Sequence, residues 1–142
     1  MREYTFEEIE IGLVESFQKK VTDEDEDMFR KITGDLNPLH MDDSFAKMKW
    51  GGIYRKHIAF GMLTASLYST FAGMYIPGKY SLIHSIDHIS FKKPVYSGDT
   101  LTVVGEVRDK VEELRLVKLD VRIQNQDDVT VSTASMKVLV EK

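Results

Sequence analysis

The sequence predicts an α+β fold in which a curved antiparallel β-sheet wraps around one long buried helix. Three observations support this prediction. The longest helical candidate, residues 57 to about 75, is apolar or small nearly all round, as a buried helix would be. From Ser81 onward, apolar residues recur at every second position in segments that turns separate. The length of 142 residues suits one domain, which we expect to span residues 1–142.

The first half of the chain carries one edge-strand pattern and one well-marked helix. Residues 12–21 mix apolar and polar positions as an edge strand does. Thr22 is a typical N-cap, and the acidic residues 23–26 place negative charge where the helix dipole favours it. Gly34 should end this helix. We expect its apolar face to consist of Met28, Phe29 and Ile32.

The connection to the long helix contains residues 42–46, which indicate a short capped helix, and a flexible Trp-Gly-Gly segment at residues 50–52. Pro77 and Gly78 should end the long helix. Beyond it, the last strand pattern of residues 129–140 loses its alternation near Ser132 and Thr133, which predicts a β-bulge.

Composition excludes several classes of protein. A net charge of −4 argues against a nucleic-acid partner, for which a basic surface is expected. The absence of cysteine excludes disulfides and thiolate zinc sites. The N-terminal segment is acidic and lacks the apolar run of a secretory signal, and residues 58–76 are too polar for a confident membrane span. We therefore predict a cytoplasmic protein without a membrane partner.

The stretch Phe-Arg-Lys-Ile-Thr-Gly-Asp-Leu-Asn-Pro-Leu-His at residues 29–40 carries the strongest signal for chemistry. Asp35 and His40 flank a turn in which Pro38 fixes φ and Asn37 can hydrogen-bond to nearby backbone. Such a turn can hold a carboxylate and an imidazole as an acid–base pair. The alternative is that Asp35 and Asn37 cap the loop and His40 is a structural histidine. Spacing alone favours this alternative, since Asp and Asn are ordinary turn residues.

Three segments together change that weighting. Residues 29–40, followed by the small residue Ala46, fit the pattern of an aromatic residue, a spacer and (S/T)-G-D-x-N-P-(L/I/V)-H. Residues 58–69 and residues 89–100, the latter with F-x-x-P-V-x-x-G-D, follow in order. This set resembles the R-specific enoyl-CoA hydratases and MaoC-like dehydratases. The resemblance covers the chain from about Val21 to its C-terminus.

The resemblance implies a hot-dog fold and the reversible syn addition of water to a trans-2-enoyl-CoA, giving an (R)-3-hydroxyacyl-CoA. By position, Asp35 and His40 hold and activate the water. Gly61 matches the residue whose backbone N–H stabilises charge on the thioester oxygen, as a helix N-terminus can. Ser69 matches a serine that orients the pair, and Asn37 matches the amide that shapes the loop.

Structural alternatives stay open for these assisting residues. Gly61 can serve close helix packing, Ser69 can bond to a carbonyl of its own helix, and Asn37 is structural first. The sequence departs from the family pattern at Phe60, where the family usually has histidine. We expect this difference to affect helix-start contacts, substrate fit or oligomer packing. The loop of residues 48–56 is longer than usual and bears on the mouth of the pocket.

Metal binding is not expected. His84 and His88 have a spacing that would chelate an ion on a helix, but on a strand they stand roughly 13 Å apart. The acidic run of residues 23–27 is more simply a solvated helix start.

Basic side chains offer contacts for the phosphates of CoA. The candidates are Lys92 with Lys93, or Arg55 with Lys56, and ordinary surface residues are the alternative. The acyl-CoA is the expected substrate and no cofactor is expected. We expect a homodimer or higher homo-oligomer, because the sheet edge needs covering. The competing functions are an acyl-CoA thioesterase and a non-catalytic acyl-CoA-binding domain.

Overall fold

The computed structural model describes residues 1–142 and contains one five-stranded antiparallel sheet. The strands are β1 (Val14–Lys20), β2 (Ser81–Phe91), β3 (Thr100–Val111), β4 (Leu116–Gln124) and β5 (Thr130–Val140). The α-helices are α1 (Asp23–Thr33), α2 (Asp43–Met48) and α3 (Gly61–Met74), and short 3₁₀ turns cover Pro38–His40, Trp50–Gly52 and Glu112–Leu114. The sheet order is β1-β3-β4-β5-β2, so β1 and β2 form its edges. The predicted α+β class is confirmed.

Helix α1 begins and ends where its sequence predicts. The Thr22 hydroxyl accepts a hydrogen bond from the Asp25 N–H at 3.1 Å, and the Asp25 carboxylate accepts one from the Thr22 N–H at 3.0 Å. This reciprocal pair is a capping box. Gly34 ends the helix with a φ of 72°, a left-handed conformation that suits glycine.

The predicted apolar face of α1 is wrong in part. Met28 and Ile32 are 48% and 81% exposed, whereas Glu26 is buried. The helix does not pack an apolar face against the main core. It packs instead against the segment before α3, where Phe29 contacts Phe60 at a ring-centroid distance of 5.3 Å.

Helix α3 begins at Gly61, four residues later than the apolar pattern predicts. The preceding backbone is engaged elsewhere: Ile58 donates its N–H to the Leu39 carbonyl at 3.1 Å, and Ala59 donates to the Val95 carbonyl at 2.8 Å. These bonds hold the segment in an extended form and connect the motif loop to the chain after β2.

One face of α3 packs on the sheet. Phe71 lies so close to Gly105 of β3 that a Cβ built on this glycine would stand 2.3 Å from the Phe71 Cζ atom. The buried Tyr68 hydroxyl shares a 2.6 Å hydrogen bond with the Ser132 hydroxyl of β5. The opposite face is exposed, so the helix is not buried nearly all round in the single chain; this face includes Met62, Ser66, Ser69 and Met74. None of the helices has the length and apolarity that crossing a membrane requires.

The predicted irregularity in β5 is confirmed. Ile123 pairs with Ser132, but the next residue, Gln124, pairs with Thr130. Val131 is therefore the extra residue of a bulge, and both Val131 and Ser132 are buried. The bulge lets the alternation resume with Ala134 on the core side of the strand.

Candidate active site

Short-range hydrogen bonds fix the loop between α1 and the 3₁₀ turn. One carboxylate oxygen of Asp35, Oδ1, accepts the Asn37 N–H at 2.9 Å. The Asn37 side-chain oxygen in turn accepts the Leu39 N–H at 3.0 Å and caps the turn that ends at His40. Asn37 is thus engaged with its own loop, while the second carboxylate oxygen of Asp35 makes no hydrogen bond within the chain.

His40 is held by a hydrogen bond at its edge and by an aromatic ring at its face. Its Nδ1 lies 2.8 Å from the Ile58 carbonyl oxygen. Because a carbonyl only accepts, Nδ1 carries the proton and, in the neutral ring, Nε2 has the free lone pair. The Phe60 ring packs against the imidazole with a centroid distance of 4.3 Å.

Asp35 and His40 line the same cavity, which has a volume of about 350 Å³. The exposed Asp35 lies at its rim. Most of the remaining wall is aromatic or apolar, and the other lining residues are Phe29, Thr33, Phe60, Gly61, Met62 and Phe91. The loop therefore presents the carboxylate and the imidazole to one space that is largely apolar.

A second cavity of about 470 Å³ shares His40, Gly61 and Phe91 with the first. Its wall is mostly apolar, and two lysines, Lys92 and Lys93, also line it. The residues found only in this cavity are Ile53, Tyr54, Ile58, Ala59, Thr64, Lys92, Lys93, Pro94, Val95 and Val131. Part of the wall therefore comes from the long loop of residues 48–56.

Gly61 lies where the two cavities meet, at the first position of α3. The Phe60 carbonyl accepts from both Leu63 and Thr64, whereas the N–H groups of Gly61 and Met62 have no acceptor within the chain. A Cβ at Gly61 would stand 3.3 Å from the Phe91 ring. Glycine thus leaves room for Phe91 beside a free backbone donor, which is how a helix N-terminus can stabilise an anion.

Three other predicted residues, Ser69, Arg55 and Lys56, lie outside both cavities. Ser69 lies on the exposed face of α3, about two turns beyond Gly61, and lines neither cavity. Arg55 packs over the Tyr96 ring at 4.3 Å, and Lys56 donates to the Ser97 carbonyl at 3.3 Å.

Sequence reasoning missed two residues that shape the site. The carbonyl of Ile58 orients His40, and the ring of Phe91 lies against the start of α3. Phe91 belongs to the third motif segment, so a signal existed, but alternation marked it only as a strand residue. The contact of Ile58 is made by its backbone carbonyl, so the identity of the residue does not predict it.

A sheet packed on a central helix, with a carboxylate and an imidazole lining one cavity at the start of that helix, defines a hot-dog protein with a candidate active site. The chain belongs to the family described as "MaoC like domain", whose sequence profile matches residues 7–130. The predicted family and the hot-dog fold are therefore confirmed.

Similar proteins agree with this assignment. The chain is 31% identical over 142 residues to a 3-hydroxybutyryl-CoA dehydratase of Methylorubrum extorquens, covering 100% of this chain and 88% of that protein. It is 35% identical over 118 residues to an (R)-specific enoyl-CoA hydratase of Aeromonas caviae, covering 83% and 85%. The solved R-hydratase PhaJ1 from Pseudomonas aeruginosa superposes with a TM-score of 0.87 at 26% identity, covering 97% of this chain and 86% of that one.

Proposed function

We propose that this protein is an (R)-specific enoyl-CoA hydratase, which in the reverse direction dehydrates 3-hydroxyacyl-CoA. The observation that carries the proposal is the shared cavity of Asp35 and His40, which meets a second cavity at Gly61. The hydratase and dehydratase names of relatives that align over most of the chain support it. The CoA thioester is the substrate, and no cofactor takes part in the hydration. The predicted cytoplasmic location is compatible with such a substrate.

The catalytic pair would act on a water molecule in the smaller cavity. The free oxygen of Asp35 and the Nε2 atom of His40 both accept hydrogen bonds, so a water between them can donate one proton to each. A lone pair of the water oxygen then faces the substrate. Holding the water in this orientation removes much of the entropic cost of the addition.

The reaction then proceeds by addition across the conjugated double bond. The water oxygen forms a bond to the β-carbon while the acid–base pair takes a proton from it. The π electrons move toward the thioester carbonyl, where the free N–H of Gly61 stabilises the negative charge on oxygen. The pair then delivers a proton to the α-carbon, so that one water has been added in total.

The two cavities would receive different parts of the substrate. The thioester would lie at their junction, beside Gly61. The acyl chain would occupy the smaller aromatic cavity, and the CoA arm would pass through the larger one, where Lys92 and Lys93 can meet its phosphates. Arg55 and Lys56 are engaged with Tyr96 and Ser97 and are the weaker candidates for this contact.

A homodimer would cover an open sheet edge of each subunit. Strand β2 is a sheet edge with open backbone hydrogen-bonding groups, and the exposed apolar residues Leu82, Phe91 and Met62 lie on it or on α3 beside it. Pairing of two β2 edges would satisfy the backbone and cover these side chains, and each subunit would keep its own Asp35–His40 pair.

Sedimentation velocity at micromolar concentration tests the dimer. Leu82→Lys should shift the protein toward a monomer, because burial of an unpaired charge at the contact is unfavourable. Leu114→Lys, which replaces a similarly exposed leucine in the turn between β3 and β4, should leave the dimer intact. A folded wild-type monomer would contradict the proposal.

The function is tested by the loss of enoyl-thioester absorbance when purified protein meets crotonyl-CoA. We expect rapid loss with an R-configured product. Asp35→Asn should lower the rate by at least about 10²-fold, since a general base contributes about 10²–10⁴-fold. Asp127→Asn, the same change in the exposed turn between β4 and β5, should leave the rate unchanged.

Two outcomes would replace the proposal. Faster CoA release from a saturated acyl-CoA than hydration of the enoyl-CoA would identify a thioesterase. Tight acyl-CoA binding without any turnover, across short and long chains, would identify a binding domain.

A further inference from the structure

Three potential metal ligands meet on the side of α1 that faces the segment before α3. One carboxylate oxygen each from Asp23 and Glu26 and one ring nitrogen of His57 all lie within 4.8 Å of one another. Asp23 and Glu26 are three residues apart on α1 and therefore share a helix face. A cavity of about 400 Å³ opens on this cluster, and its wall also includes Asp27, Arg30, His40 and Met41.

Glu26 is a buried carboxylate without a hydrogen-bond partner. Its side chain is 3% exposed, and its Oε1 atom has no donor within reach. Its Oε2 atom stands 3.7 Å from the His57 Nε2 atom, which is too far for a hydrogen bond. The Oε1 atom is thus a buried acceptor that no donor of the chain satisfies.

His57 is oriented as metal-ligating histidines are. Its Nδ1 atom lies 2.6 Å from the Asp43 carboxylate, which also accepts the His57 backbone N–H at 2.9 Å. Because the carboxylate accepts, Nδ1 carries the proton, and in the neutral ring the lone pair of Nε2 lies on the side of Glu26. A carboxylate on the far nitrogen is the usual outer partner of a histidine that binds a metal.

The local charge favours a cation. Asp23, Glu26, Asp27 and Asp43 lie at or next to the cavity, against one guanidinium, that of Arg30. Arg30 pairs with Asp27 at 2.6 Å and donates to the His40 carbonyl at 3.5 Å, and no hydrogen bond joins it to Glu26. The negative charge near the Glu26 carboxylate therefore exceeds the positive charge that the chain supplies.

We propose that Asp23, Glu26 and His57 bind a divalent transition-metal ion such as Zn²⁺. One imidazole and two carboxylates suit Zn²⁺ or Mn²⁺, whereas Mg²⁺ and Ca²⁺ prefer oxygen ligands alone. Three protein ligands leave a coordination position for water. This site lies outside the sequence prediction, which treated residues 23–27 as a solvated helix start and expected no metal.

The ion would have a structural role beside the catalytic loop. Its ligands would connect α1, through Asp23 and Glu26, to the segment that precedes α3, through His57. Ile58 follows His57 directly, and its carbonyl holds the Nδ1 proton of His40. Bound metal would therefore stabilise the acceptor that orients the imidazole, without taking part in the hydration itself.

Isothermal titration of chelator-treated protein with zinc sulfate tests the site, with Mn²⁺ and Mg²⁺ in parallel. We expect one Zn²⁺ per chain, weaker or equal Mn²⁺ binding and no Mg²⁺ binding. Glu26→Gln and His57→Gln should each weaken Zn²⁺ binding by at least about 10-fold, since even outer-shell changes cost about 10–100-fold. Zn²⁺ should also raise the unfolding temperature of the wild type and not that of either variant.

Matched controls are Glu24→Gln and His84→Gln, because both residues are exposed and lie outside the cluster. Both should keep the wild-type affinity. The proposal is overturned if no Zn²⁺ binds, or if His84→Gln removes binding that Glu26→Gln leaves intact, which would identify an adventitious surface site. Circular dichroism establishes that each variant is folded, and the two ligand variants test the site independently. None of these readouts depends on hydratase activity.

Discussion

The ring of Phe60 packs against the imidazole of His40 with a centroid distance of 4.3 Å and an interplanar angle of 33°. Together with the hydrogen bond from Nδ1 to the Ile58 carbonyl, this contact leaves the imidazole little freedom to rotate. Phe60 occupies the position at which the resembling family usually has histidine. Phe60 makes contacts at the start of α3 and also lines the smaller cavity, so its position bears on both helix-start contacts and substrate fit.

Phe60→Ala should lower kcat for crotonyl-CoA hydration by about 10-fold or more, because the His40 ring loses the contact that holds its face. It should also lower the free energy of unfolding by about 3 kcal/mol, since Phe60 is buried. Steady-state kinetics below the unfolding temperature separate the two effects. Phe45→Ala on α2 is the control and should keep kcat near the wild-type value.

Gly61→Ala should reduce kcat/KM by about 10-fold, because the new methyl group would press on the Phe91 ring where the two cavities meet. The backbone donor itself is kept in this variant. Adding Phe91→Ala removes the ring and should recover part of the activity. A double variant no better than Gly61→Ala would show that crowding by Phe91 is not the cause.

Gly105→Ala should destabilise the fold by about 3 kcal/mol, because its Cβ would stand 2.3 Å from the Phe71 ring in a packed core. Gly73→Ala is the matched control, since a Cβ at this helical glycine meets no atom within 4 Å. It should stabilise the protein by about 0.5–1 kcal/mol through helix propensity. Urea unfolding measures both changes, and equal effects would contradict the packing described here.

Tyr68→Phe should lower the free energy of unfolding at neutral pH by about 1 kcal/mol, because Ser132 loses its buried hydrogen-bond partner. Burial raises the pKa of the Tyr68 phenol, and the hydrogen bond with Ser132 partly offsets this. The folded state therefore keeps the proton that the unfolded chain releases above about pH 10.

This difference predicts that the wild type loses stability as the pH rises beyond that point, whereas Tyr68→Phe lacks this contribution. The gap between the two proteins should stay constant up to about pH 9 and narrow above about pH 10. Tyr54→Phe, whose hydroxyl makes no hydrogen bond in the chain, controls for general alkaline effects. A gap that stays constant with pH would contradict the assignment.

The sequence predicted correctly the structural features that depend only on adjacent residues. Thr22 and Gly34 mark the ends of α1 because capping depends on a few adjacent residues. The lost alternation near Ser132 located the bulge for the same reason. The start of α3 could not be predicted this way, since Ile58 and Ala59 bond to Leu39 and Val95, which are distant in sequence.

The candidate site shows the same division. The motif that contains Asp35 and His40 was recognisable, and both residues line one cavity. The orientation of His40 depends on a carbonyl from another segment, which side-chain identity does not reveal. Glu26 stands in an acidic run that looked solvated, and only the packing of α1 against the segment around His57 shows that it is buried.

The loop of residues 48–56 contributes Ile53 and Tyr54 to the larger cavity and nothing to the smaller one. In the proposed arrangement, in which the CoA arm passes through the larger cavity and the acyl chain fills the smaller one, carrier selection and acyl-length selection depend on different segments of the chain. Exchange of this loop between relatives should change the preference for CoA or acyl carrier protein, whereas the accepted acyl lengths should stay the same. A mutation in one of these segments should therefore change one preference without disturbing the other.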